Sequence, residues 1–172
     1  MALFTRLMVN QIQKTFGTDI NLSFEIASKF KIEKLYMIYG KNGSITITDG
    51  QNSPYIIIAP NTKKKGYITV YSLDPIELDN SEKCCGLFHS VNFNKINFEN
   101  TDTSNVTDMH FMFFNCTSEL IHLDSFNTTK VTNMRSMFSY CTSPTLDLRS
   151  FDTTNCIDME LMFDPCSAKI IH

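Results

Sequence analysis

The sequence predicts an α+β chain: an N-terminal helix plus a small antiparallel β domain, followed by a short strand-helix leucine-rich-repeat solenoid with a parallel β-ladder. Two observations predict it. The C-terminal half repeats itself at a fixed step of 25 residues, seen in Met109, Met134 and Met159 and again in Phe113, Phe138 and Phe163. Ahead of the repeats, apolar residues follow first a helical and then a two-residue period.

Residues 2–16 carry Leu3, Phe4, Leu7, Met8, Ile12 and Phe16 on one stripe, and Gly17 follows as a stop signal. From Ile20 the pattern alternates through Leu22, Phe24 and Ile26, then recurs in 35–39, 44–48, 55–59 and 67–73. Turn material at 40–43, 49–50 and 60–66 separates these runs, so antiparallel strands joined as hairpins are expected. Residues 1–73 form the N-terminal unit and 74–172 the solenoid. Subtracting one period from Ile96 and Phe98 gives Tyr71 and Leu73, and from Met112 and Phe113 gives Leu87 and Phe88. A degenerate copy at about 67–91, a strand and then a helix over 81–91, is therefore expected to cap the array.

Each full repeat has two halves. Val106, Met109, Met112, Phe113 and Cys116 are separated by three, three, one and three residues, the stripe of a short helix. Thr103 and Ser104, like Thr128-Thr129 and Thr153-Thr154, stand where hydroxyls would cap its first turn. The other half alternates. Ile96 and Phe98, Ile121 and Leu123, and Leu146 and Leu148 point inward, Ile171 continues that column, and Asn97, His122 and Asp147 point outward. Neither half can bury its apolar side alone, so the copies must stack.

The motif Thr103-Ser104-Asn105-Val106-Thr107-Asp108-Met109, then Met112-Phe113, Cys116 and an alternating aliphatic strand, resembles the BspA-like leucine-rich repeats of bacterial surface proteins and lipoproteins. The match covers about residues 78–172. What the resemblance implies is adhesion or protein binding rather than catalysis. The third copy departs from the pattern, with Cys156 in place of the usual Val.

Composition excludes several classes. A net charge of −3 suits neither a nucleic-acid-coating protein nor an acidic mimic of one. Cys116, Cys141 and Cys166 occupy one repeat column, which favours buried reduced thiols over disulfides or a metal site. There is no secretory signal and no apolar run long enough to span a membrane, so the protein is expected inside the cell or carried in a virus particle. His110 and His122 stand without a nucleophile and base at any recognisable spacing, and no phosphate-binding loop is present. No enzyme, cofactor or metal is therefore expected. Lys63, Lys64 and Lys65 form a charged loop tip of the kind that serves solubility.

What remains is binding. The outward ladder positions Lys95, Asn97 and Glu99, His122 and Asp124, and Asp147 and Arg149 vary between copies whereas the inward columns repeat, so they are the candidate partner-binding grid. Lys169, Ile170 and Ile171 lie in a strand with no following repeat, a candidate oligomer edge for a partner or a second copy. The expected function is a protein-protein interaction module that binds or blocks a partner. The alternative is a structural or attachment component of a virion or cell-surface assembly.

Overall fold

Apolar columns that recur every 25 residues can be buried only against their own next copy, and this stacking sets the architecture. The computed structural model describes residues 3–4, 6–17, 20–26, 38–39, 45–47, 56–61, 63–72, 76–78, 85–98 and 101–172. In chain order these form β1 (Leu3–Phe4), α1 (Arg6–Phe16), β2 (Asn21–Ile26), β3 (Ile38–Tyr39), β4 (Ile45–Ile47), β5 (Ile56–Pro60), β6 (Tyr67–Ser72) and β7 (Ile76–Leu78). The repeats add β8 (Lys95–Asn97), β9 (Thr101–Asp102), β10 (Leu120–His122), β11 (Thr145–Asp147) and β12 (Lys169–Ile171).

One nine-stranded sheet runs in the order β12, β11, β10, β8, β2, β6, β5, β4, β3, and a small parallel sheet joins β1, β7 and β9. The six strands from β12 to β6 are all parallel, and the pairs β6–β5, β5–β4 and β4–β3 are antiparallel. β2 is the joint. Its Leu22 pairs with Ile96 of β8 on one side and Ile68 of β6 on the other. A strand in that central place is buried on both faces, as Leu22, Ser23 and Phe24 are, and Thr69 and Val70 beside them.

Two expectations are corrected here. The chain is not a helix plus an antiparallel β domain followed by strand-helix repeats, because β2 belongs to the parallel run and separates β6 from β8. Alternation at Leu22 and Phe24 marks a strand but does not encode the direction of its partner. Nor are there repeat helices. α1 is the one α-helix among the described residues, and it starts at Arg6, with Leu3–Phe4 in a strand. Residues 85–90, 110–115, 135–140 and 160–165 are tight turns, and 81–84, the rest of the predicted cap helix, lie outside the described residues.

The reason lies in the backbone. Gly86, Phe111, Ser136 and Leu161, one column at the repeat spacing, all have positive φ, and so do Ser90, Asn115 and Tyr140 in a second. A left-handed residue twice per coil cannot be part of an α-helix. The amides go instead to the neighbouring coil: Met109, Phe111, Phe113 and Asn115 donate to the carbonyls of Asn133, Arg135, Met137 and Ser139 at 2.8 to 3.0 Å. Met134, Ser136 and Phe138 repeat the pattern toward Asp158, Glu160 and Met162.

Side chains complete the stack. Phe88, Phe113, Phe138 and Phe163 form a column of nearly parallel rings with centroids 5.3, 5.5 and 5.8 Å apart. Met109, Met112, Met134, Met137, Cys116 and Cys141 are fully buried beside it. Thr103 and Thr128 do not cap helices. Each buried hydroxyl accepts from the amide and donates to the carbonyl of the residue 24 positions on, Asn127 and Asp152 respectively, at 2.7 to 3.0 Å. At the other end of the core, α1 lays Val9 and Ile12 against the first coil, Arg6 donates to the Leu87 carbonyl at 3.0 Å, and Gly17 (φ 80°) closes the helix on the Gln13 carbonyl.

Candidate functional site

The sequence-predicted grid divides among three places. Asn97 and His122 are register partners on β8 and β10, and Lys95 faces Leu120 on the same pair. Ile121 pairs with Leu146, which sets Asp147 beside His122 on the next strand. Asn97, His122 and Asp147 thus form one outward row across strands spaced roughly 4.8 Å apart. Glu99 lies outside the described residues.

Arg149 and Asp124 flank this row. The Arg149 guanidinium folds back on Asp147, with Nε 2.9 Å from Oδ1 and 3.1 Å from Oδ2 and Nη2 2.5 Å from Oδ2. The Arg149 amide also donates to Asp147 Oδ1 at 3.2 Å. These bonds hold the Asp147 carboxyl below its ordinary range, and Asp147 with Asp124 raises Arg149. A bidentate fork on the ladder therefore fixes one cation and one anion in a defined orientation at the surface.

The edge residues follow a different register from the one predicted. Leu146 pairs with Ile170, not Ile171, and Asp147 pairs with Ile171. Two consecutive isoleucines offer the core an apolar side chain in either register, so the hydrophobic pattern does not fix it. Ile170 packs against the core and Lys169 is exposed. On the turn side of the same outermost coil, Ile157 is 87% exposed, and Met159, Leu161 and Phe163 are exposed beside it. The preceding copy places Met134, Ser136 and Phe138 at the positions of Met159, Leu161 and Phe163, all buried, whereas Thr132, at the position of Ile157, is exposed like it.

A third cluster was missed by sequence reasoning. Asp108 Oδ1 lies 2.6 Å from His110 Nδ1, and His110 Nε2 lies 2.6 Å from Cys85 Sγ. Asp108 also accepts from the His110 amide at 2.9 Å, a local turn that sets the imidazole. Cys85 and His110 are one period apart, so the coil stacking that pairs Gly86 with His110 also brings these side chains together. The 25-residue offset between Cys85 and His110 is the signal that the sequence carries for this pairing. His110 is accordingly no isolated solvent-facing histidine. His122 is exposed on the ladder.

The five described cysteines are free. Burial pushes the Cys116 thiol up to about 11 and raises Cys141 as well. Among the described residues no group of three or more His, Cys, Asp and Glu side chains is arranged to hold a metal ion, and no helix is long and apolar enough to cross a membrane.

These features define a short parallel-β solenoid with turns in place of helices and a flat ladder face. The chain belongs to the family described as Mycoplasma protein of unknown function, DUF285, which matches residues 82–169. No curated protein and no solved structure matches it.

Proposed function

We propose that the chain is a protein-protein interaction module that binds or blocks a partner protein through the ladder face formed by β8, β10 and β11. The observation that carries this reading is the row Asn97, His122 and Asp147 with the Arg149 fork beside it. Polar groups there stand on a backbone fixed by its neighbours on both sides, so little ordering cost remains to be met on binding. The resemblance to BspA-like repeats supports an adhesive or protein-binding role over a catalytic one. The test is affinity capture with the native chain and with a His122→Ala/Asp147→Ala/Arg149→Ala variant, read by mass spectrometry. One stoichiometric protein held by the native chain and lost with the variant is the expected result; equal capture by both would overturn the assignment of the face.

A second reading, a structural component of a virion or cell-surface assembly, is favoured by the exposed Met159, Leu161 and Phe163 on the turn side of the coil that carries β12. Its occupant is a second copy of this chain. Met134, Ser136 and Phe138, at the equivalent positions of the preceding coil, are covered by another coil of the same design, which fixes the kind of surface that fits.

A further inference from the structure

We propose that Cys85, His110 and Asp108 form a peroxide-reactive thiol site, in which a small uncharged hydroperoxide oxidises Cys85 to the sulfenic acid. The arrangement has three parts, each with a role set by geometry. Asp108 accepts from Nδ1–H of His110, which fixes the tautomer and leaves Nε2 as an acceptor. That acceptor lies 2.6 Å from Cys85 Sγ, within reach of the thiol proton. A nucleophile, its base and the group that orients the base are thus connected in line.

The surroundings select the chemistry. Cys85 and His110 are partly buried, and the Phe111 ring packs against the imidazole in a T-shaped contact with centroids 5.5 Å apart. Burial and the Asp108 carboxylate both raise the Cys85 thiol, so thiolate has to be generated by transfer to His110 as the reaction proceeds. The same carboxylate disfavours anionic electrophiles. Acyl transfer would call for amide donors aimed at a developing oxyanion. The amides of Gly86, Phe88 and His89 are instead engaged by the carbonyls of His110, Met112 and Gly86. Metal binding does not suit the triad either, because Asp108 and Cys85 address opposite nitrogens of one ring and do not converge. Hydroperoxide reduction needs only a thiolate and a proton for the leaving oxygen.

The step balances on those terms. His110 Nε2 takes the Sγ proton as sulfur attacks the outer oxygen of ROOH. The S–O bond forms, the O–O bond breaks, and the imidazolium returns the proton to the departing alkoxide, giving ROH. Sulfur loses two electrons and the peroxide gains them, with Cys85–SOH as the product. Asp108 is a positioning residue, acting through His110.

The test uses the full chain carrying Cys84→Ser, so that the labelled peptide reports Cys85 alone. Hydrogen peroxide is added with dimedone to trap sulfenic acid, and labelling of Cys85 is compared by mass spectrometry with that of the partly buried Cys156 and Cys166 in the same molecule. Cys85 is expected to react faster than both, and His110→Gln to slow it roughly 100-fold, the lower end of what a positioned base contributes. Asp108→Asn keeps the local turn, as Asn133 does one coil on with the Arg135 amide. It should slow Cys85, leave Cys156 and the melting temperature unchanged, and abolish the downfield His110 Nδ1–H proton resonance. Equal labelling of the three cysteines, or a Cys85 rate indifferent to His110→Gln, would overturn the proposal. Preferential alkylation by iodoacetamide without preferential peroxide oxidation would overturn the choice of substrate class.

Discussion

A single hydroxyl can hold two coils together, and Thr128 shows how. Its Oγ1 accepts from the Asp152 amide at 2.8 Å and donates to the Asp152 carbonyl at 2.9 Å, while the side chain is almost fully buried. Thr153, one period later, is exposed. Valine has nearly the same shape but neither bond, so Thr128→Val leaves a backbone donor and acceptor without partners inside the protein. The expected cost is about 1 to 3 kcal/mol, against near zero for Thr153→Val, with chemical denaturation as the measurement. An equal effect at both positions would show that the cost comes from valine itself and not from the bridge. In sequence the same threonines resemble helix caps, since a hydroxyl ahead of an apolar stripe is the signature of both arrangements.

At the scale of elements, the ring column decides how strongly one coil grips the next. Phe138 lies fully buried between Phe113 and Phe163, at centroid distances of 5.5 and 5.8 Å. Phe138→Ala should cost about 3 to 5 kcal/mol, the usual range for emptying a buried aromatic site. Phe163 is 36% exposed and has a ring neighbour in Phe138, so Phe163→Ala should cost clearly less in the same thermal or urea melt. The contrast also marks what was legible in the sequence. The constant offset among Phe113, Phe138 and Phe163 marks the column, and Phe113 and Phe138 within it are buried. It did not give the conformation between columns. Apolar steps of three, three, one and three fit a helix and a pair of tight turns equally well. The deciding fact, positive φ at Phe111, Ser136 and Leu161, falls on residues whose side chains do not announce it. Only Gly86, at the head of that column, carries the signal.

Taken whole, the molecule has two unlike faces and a thiol cluster set apart from the ladder. The polar ladder was legible because its outward positions differ from copy to copy. The place of β2 was not legible, since a strand at residues 21–26 pairs with residues 67–72 and 95–97, and neither separation is the repeat period. The apolar outer coil carries its own prediction. If a second copy covers it, sedimentation velocity should show an association that strengthens with concentration and is lost in Leu161→Asp, a substitution at an exposed left-handed position that aspartate adopts readily. A native chain that sediments as a monomer throughout would remove the assembly reading.

The contacts that join coil to coil have a consequence for length. Coil meets coil through the same amides and the same ring column, with a threonine bridge at Thr103 and again at Thr128, offset by 24 or 25 residues. Inserting one whole copy would need no new kind of contact, and it would displace the far end from α1 by one strand spacing, roughly 4.8 Å. The span of the protein is therefore quantised. Point substitutions can alter what its surface recognises, but the distance over which it reaches changes only by the copy, as marks are added to a ruler.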